Sequence, residues 1–396
     1  MKTARSLSLA VAVALTTGAL ALPAAAKHRD DDAPRDDRDR LHRYIARIDA
    51  AYDTSRGGWV GKDGRPSESA VALAFRLARD AGAAGDGAWT ARALATVAWT
   101  AQLQDSMSGG FTDRRQRSTA EGGAFEMHAD VNGRRLEDLV IAWRTTGDDR
   151  WRRDAARVVN YCDRVLLDGR GGFITAQVGD RTLQPAANGI AIHAWLAWAS
   201  ATGDPRPRDF ALRSLDRVWG TGMDEALGVL IRRDDFGAVA AMPQLADQIE
   251  TGRALLFAAQ ACGRAQDMVR ARALAEVVLA KFADTERGGC FTQASPRKDG
   301  TIRRAARNPG ENARAALFFA ELGAATGEAR WSDAARRTIA AFDHDIEKTD
   351  LDAADWALAL ETLLAPEAPA PPVWQNAVNA TPHQPAVVKF MLPRRR

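Results

Sequence analysis

Asp247 and Glu250 stand one helical turn apart in an otherwise apolar stretch, LADQIETGRALLFAAQAC, so a helix there sets both carboxylates on one face. Asp130 opens another such stretch and supplies a carboxylate from a second helix. Hydrolysis of a glycosidic bond needs two carboxyl groups flanking that bond, one protonated and one ionised. Asp130, Asp247 and Glu250 are therefore the candidate catalytic residues. His128 and His193 come next, because the chain has only six histidines and a cavity histidine binds ligands or moves protons near neutral pH. His193 sits among Ile192, Trp195 and Trp198 and reads first as a core residue. Trp59 and Trp195 offer apolar platforms for a sugar ring, although core packing accounts for most of the eleven tryptophans. Asn188 and Glu311 complete the candidate substrate-binding set. No H-x-x-x-H or H-E-x-x-H spacing occurs, so neither a metal nor another cofactor is expected.

These residues share one position in the chain's pattern: polar groups cluster where apolar segments begin. The series runs Glu68; Glu126, His128 and Asp130; Asn188 and His193; Gln244, Asp247 and Glu250; Glu311 and Asn312; Asp352 and Asp355. The same residue types cap any helix, and capping explains most of the series. Arg233, Arg303, Arg304 and Arg307 fall in the preceding loops, where they would either make the rim receptive to anions such as uronates or form a solvated loop face.

The segments belong to a repeat. A Gly-Gly-aromatic step occurs at Gly57-Gly58-Trp59, Gly109-Gly110-Phe111 and Gly171-Gly172-Phe173, and returns as Gly288-Gly289-Cys290-Phe291. The first glycines are 52, 62 and 117 residues apart. The last gap is nearly double, which predicts a degenerate copy near Gly228. Each step reads as a turn with Gly at positive φ and the aromatic packing over a rim. A polar loop and an Ala- and Leu-rich segment of helical period follow. A short break comes next, often Thr-Gly-Asp as at 146–148 and 202–204, which combines a helix-stopping Gly with an N-capping Asp.

This reading predicts twelve helices, at 38–52, 67–81, 87–104, 130–146, 149–166, 187–202, 206–220, 244–262, 266–283, 310–325, 329–345 and 351–364. The even ones are apolar nearly all round and the odd ones carry an Arg/Asp face, so an inner ring covered by an outer ring is expected. The predicted fold is all-α, an (α/α)6 barrel or six-hairpin toroid over residues 38–364; an open solenoid of helical pairs is the alternative. Long loops would gather at one mouth, around the inner-helix N-termini.

The ends differ in character. Residues 1–26 read as a secretory signal: Lys2 and Arg5, an apolar run, then Pro23-Ala24-Ala25-Ala26. Residues 27–37 read as a charged linker and 365–396 as a Pro-rich tail ending in three arginines. The expected location is the periplasm or outside the cell, with no membrane insertion after cleavage. The net charge of +3 over 396 residues, with both signs interspersed, gives no case for nucleic-acid binding. Of three cysteines, Cys162 and Cys262 read as small buried residues and Cys290 as an exposed loop thiol.

Two units, GGFITAQVGD…AANGIAIHAWLAWASATGDPR and GGCFTQ…NPGENARAALFFAELGAATGEARWSDAARRTI, give the chain a family likeness. It resembles the six-hairpin glycosidase-like superfamily, nearest the toroid domain of the spermatogenesis-associated, thioredoxin-domain family. That family's thioredoxin-like domain is absent, so no redox role is implied. The superfamily includes glycoside hydrolases, unsaturated uronyl hydrolases and N-acylhexosamine epimerases, so the resemblance implies sugar chemistry by analogy. Its epimerases use a His pair, and the last inner helix here has no His. The expected function is an exported protein acting on carbohydrate, glycoside hydrolase-like, with an oligosaccharide ligand at the long-loop mouth. The alternative is a non-catalytic glycan- or protein-binding module of the cell envelope.

Overall fold

The computed structural model describes residues 33–82, 87–113, 127–178, 181–233, 237, 239, 242–294 and 306–365. The expected signal at 1–26, the first part of the charged linker, the tail beyond 365, Glu126, Arg303 and Arg304 lie outside these residues. Within them the apolar periodicity resolves into twelve α-helices: α1 (Ala33–Ala50), α2 (Glu68–Ala81), α3 (Ala88–Thr100), α4 (Ala129–Thr146), α5 (Asp149–Val165), α6 (Pro185–Thr202), α7 (Pro205–Gly222), α8 (Leu245–Cys262), α9 (Ala265–Lys281), α10 (Pro309–Thr326), α11 (Ala329–Ala340) and α12 (Ala353–Leu364). A two-stranded antiparallel sheet, β1 (Met223–Asp224) with β2 (Val229–Leu230), pairs Met223 with Leu230 and Asp224 with Val229.

The even helices pack in sequence, α2 on α4, α4 on α6, α6 on α8, α8 on α10 and α10 on α12, and α12 returns to α2. That last contact closes the ring and excludes the solenoid. Outer helices α3, α5, α7, α9 and α11 each cover the inner helix they follow, and α1 covers α12. The fold is an (α/α)6 barrel. α6 buries residues on all sides, whereas α5 buries one stripe of Trp151, Ala155, Val158, Val159, Tyr161 and Cys162. Inner helices α4, α6 and α10 end at Thr-Gly turns, with Gly147, Gly203 and Gly327 left-handed, and Asp148 and Asp204 cap the outer helices α5 and α7.

Helix α1 starts at Ala33, inside the charged stretch, and its second turn is tied to the ring. The buried Asp37 carboxylate accepts from Arg336 Nε on α11 at 2.7 Å and from Arg40 Nη1 at 3.3 Å. Arg40 Nε also donates to Asp343 at 2.6 Å, and Arg47 to the Thr349 carbonyl at 2.8 Å.

Each Gly-Gly step is a tight hairpin after an outer helix. An Asp ahead of the glycines accepts backbone N–H groups from the turn: Asp53 from Ser55 and Arg56, Asp105 from Met107 and Ser108, Asp168 from Arg170, Asp284 from Glu286 and Arg287. The degenerate copy is where the spacing predicts it: Asp224 accepts from Leu227 N, and Gly228 has φ +64°. The residue after the glycines does not lie over a rim. Trp59, Phe111 and Phe173 are fully buried, and Cys290 takes the same place in the last copy, at 2% exposure. It is therefore not an exposed thiol, and burial pushes it up to about 12. Cys162 is also buried, Cys262 is half-buried, and no two of the three are bonded.

One inner contact is close enough to be decided by a single hydrogen. A Cβ at Gly189 of α6 would lie 2.5 Å from the Glu250 carbonyl carbon and oxygen and 2.7 Å from Thr251 N on α8. Backbone on both sides cannot yield as a flexible side chain would. Gly189→Ala is expected to cost about 3 kcal/mol in urea unfolding through overpacking. An unchanged midpoint would contradict the contact.

Candidate functional site

The N-termini of the inner helices carry polar residues in register. The fourth residue of α4, α6, α8 and α10 is Asn132, Asn188, Gln248 and Asn312. Each amide clamps the backbone of one Gly-Gly hairpin. Asn188 Oδ1 accepts from Phe173 N at 2.7 Å and its Nδ2 donates to Phe173 O at 2.9 Å. Asn132 holds Phe111, Gln248 holds Leu230 and Asn312 holds Cys290 in the same way. Asn188, expected in a binding role, is fully buried in this bracket. Asn188→Ala would strand a buried N–H and C=O, each costing about 1–3 kcal/mol. A loss of about 2–4 kcal/mol in denaturant unfolding is expected, and a loss below 1 kcal/mol would remove the clamp from the account.

The third residue of α8, α10 and α12 is a carboxylate: Asp247, Glu311 and Asp355. The sixth residue of α4, α8 and α10 is charged: Arg134, Glu250 and Arg314. These residues meet at the long-loop end of the ring. A cleft of about 650 Å³ opens there between the α1–α2 loop and helices α2, α4, α10 and α12. Glu68, Arg134, Glu311, Arg314, Asp352 and Asp355 are among its lining residues. The Ser69 hydroxyl donates to Asp355 at 2.7 Å, and Arg314 Nη1 lies 3.3 Å from the same carboxylate.

The candidate carboxylates differ in environment. Burial works against the charge on Glu250, but Arg314, Arg134 and Arg253 outweigh it and hold the carboxyl at about 2. Arg314 Nη2 donates to Glu250 Oε2 at 2.8 Å and its Nε to Oε1. Glu250 is thus a fixed anion inside the ring, unsuited to proton transfer. Asp247 is fully buried, pairs with Arg232 at 3.2 Å and accepts from Ala186 N at 3.1 Å; burial raises it despite those contacts. Asp130 is half-buried in the first turn of α4, and it is not among the residues lining the cleft.

Glu311 and Glu68 line the cleft and are pushed apart. Burial raises Glu311, the nearby Asp247 charge adds to this, and the Thr292 side chain and the Arg232 charge oppose it. The Glu311 Oε2 atom is buried without a hydrogen-bond partner. Burial also disfavours the Glu68 charge, but Arg135 at 3.5 Å and Arg134 at 3.9 Å hold its carboxyl below the usual range. Burial raises Asp352, with Asp355 and Asp350 reinforcing it. Such a divergence between carboxyls that line one cleft is how one site keeps one acid protonated and another ionised.

The histidines and tryptophans go elsewhere. His193 lies on the wall of a different cavity, at the short-turn end, with its Nδ1 2.5 Å from Glu137 Oε1 and its ring 4.5 Å from Phe257. His128 precedes α4 and bridges Ala176 through its backbone. The two therefore form no pair at the mouth. Trp59 is fully buried and donates Nε1–H to the Ile48 carbonyl, and Trp195 is buried edge-on against Phe173. Neither offers a sugar platform. Arg233 and Arg307 spend donors on the carbonyls of Thr221, Gly237 and Gly288.

Arg134, Arg232 and Arg314 were missed by a reading that sought carboxylates and histidines. Arg134 and Arg314 carried a signal: each is a charge interrupting an apolar inner segment. Among the described residues no group of three His, Cys, Asp or Glu side chains could hold a metal ion, and no helix is long and apolar enough to cross a membrane.

No family model and no curated protein sequence matches the chain. Solved structures do. A D-mannose isomerase superposes with a TM-score of 0.65 at 14% identity, covering 85% of this chain and 99% of that one. The cellobiose 2-epimerase of Spirochaeta thermophila gives 0.65 at 14% identity, over 85% and 97%. The family 76 α-mannanase of Bacteroides thetaiotaomicron gives 0.63 at 13%, over 85% and 98%. At these identities the likeness establishes the shared (α/α)6 barrel.

Proposed function

We propose that the chain is an exported carbohydrate-active enzyme that hydrolyses a glycosidic bond in the cleft at the long-loop end. The observation that carries this reading is the pair of cleft carboxyls with opposed environments: Glu311, raised by burial, as the general acid, and Glu68, kept ionised by Arg134 and Arg135, as the base or nucleophile. The fold shared with a mannanase, an isomerase and an epimerase of sugars supports the substrate class. The separation of His128 from His193 favours hydrolysis over epimerisation. Asp352 and Asp355 line the same cleft and supply acceptors for sugar hydroxyls. Export rests on the first 26 residues, and kinship with the spermatogenesis-associated toroid rests on the two units that carry its motifs.

The test is thermal unfolding of the chain from Lys27 onward against neutral, N-acetylated and uronic oligosaccharides, followed by product analysis. Stabilisation by one class, with release of shorter sugars, is the expected result. Stabilisation without turnover would assign a binding module, and no shift across the panel at millimolar sugar would end the glycan reading.

A further inference from the structure

The second cavity, about 300 Å³, lies at the short-turn end of the ring, among the C-terminal halves of α2, α8, α10 and α12 and His193 of α6. Nearly every charge facing it has its own partner. Arg253 is held by both oxygens of Glu321 at 2.8 Å each, Arg79 pairs with Asp80 at 2.9 Å, and His193 pairs with Glu137. Two groups are left over. Arg76 Nη1 donates to the Thr362 hydroxyl at 3.1 Å, while the carboxylates of Glu321 and Glu361 act on it only at longer range. Glu361 Oε2 is buried and has no hydrogen-bond partner.

A guanidinium with N–H groups beyond its one bond to Thr362 and a carboxyl with an unpartnered oxygen thus line one small cavity. Arginine presents a planar fork that matches carboxylate, sulfate or phosphate oxygens. We propose that this cavity binds a small oxyanion between the Arg76 guanidinium and the Glu361 carboxyl. This site is separate from the mouth cleft and does not depend on the glycosidase reading. Burial pushes the Glu361 carboxyl up to about 7, with Arg76 and Arg79 opposing and Asp80 reinforcing. Below neutrality it is a neutral O–H donor toward the ligand. Above neutrality it becomes an anion that repels the ligand and takes Arg76 for itself.

Calorimetric titration with sodium sulfate and with sodium acetate tests this at constant ionic strength, since neither anion titrates between pH 6 and pH 8. Saturable binding of at least one is expected at pH 6, weaker by about tenfold at pH 8, as the protonated fraction of a group near 7 dictates. A preference for sulfate or acetate tells a tetrahedral from a planar ligand. Arg76→Gln is expected to abolish binding. Glu361→Gln is expected to bind equally at both pH values, and His193→Gln to keep the tenfold ratio. Absence of binding at pH 6, or binding that survives Arg76→Gln, overturns the site. A pH ratio that survives Glu361→Gln overturns the role of Glu361.

Discussion

Replacing Arg314 by methionine is expected to cost the ring about 3–5 kcal/mol at neutral pH, the penalty for stranding a buried anion. Glu250 is 5% exposed and takes two bonds from Arg314, while its other cations, Arg134 and Arg253, stand at 3.8 and 3.9 Å. Methionine keeps volume and removes the charge. The sign of the pH dependence follows from the Glu250 carboxyl, whose ordinary value of 4.5 is depressed to about 2 in the folded protein. Its contribution is fully present above 4.5 and is lost as pH falls from 4.5 towards 2. The gap between Arg314→Met and the parent should therefore narrow over that window. The double variant Arg314→Met/Glu250→Gln should recover most of the loss, because Glu250 then carries no charge and Asp355, the other carboxylate that Arg314 touches, keeps its bond from Ser69. Denaturant unfolding of the three variants across this range checks it. A gap that is flat with pH, with no recovery in the double variant, would mean that Arg314 acts through packing alone.

Glu311→Gln carries the largest expected effect on activity. Once a substrate is in hand, losing the proposed general acid should lower kcat by about 10²–10⁴-fold. Folding should survive, since Glu311 Oε2 has no partner to lose and an amide avoids burying a charge. With Glu311 raised, the parent rate should fall on the alkaline side as the acid deprotonates. With Glu68 lowered, the acidic limb should lie below the usual carboxylate range. Glu68→Gln should remove the acidic limb and Glu311→Gln the alkaline one. A pH–rate profile on the two variants separates these roles, and full activity in Glu311→Gln would reassign the acid.

Much of the fold was legible because its signals are local. Helical period, Thr-Gly-Asp stops and the Gly-Gly steps each act within a few residues, and they placed twelve helices and the degenerate turn at Gly228. The start of α1 was not legible, because Asp37 becomes helical through Arg336, 299 residues away. Asn188 looked like a ligand-binding amide because a clamp and a binding residue use the same chemistry; its recurrence as Asn132 and Asn312 was the available clue. Cys290 looked exposed because it stands in a loop, yet it fills the slot that Trp59, Phe111 and Phe173 fill in the other copies.

The sequence by itself determined most of the secondary structure, the alternation of inner and outer helices and the end of the ring where polar residues gather. All of these follow from apolar periodicity and turn chemistry along a contiguous stretch. Only the tertiary structure decided which of those polar residues are fixed, which are buried and which line the cleft. Glu250 became a permanent anion through Arg314, 64 residues distant, and Glu311 a raised acid through burial beside Asp247. Protonation depends on desolvation and on charges a few ångströms away, and in a closed ring those neighbours come from helices far apart in the chain.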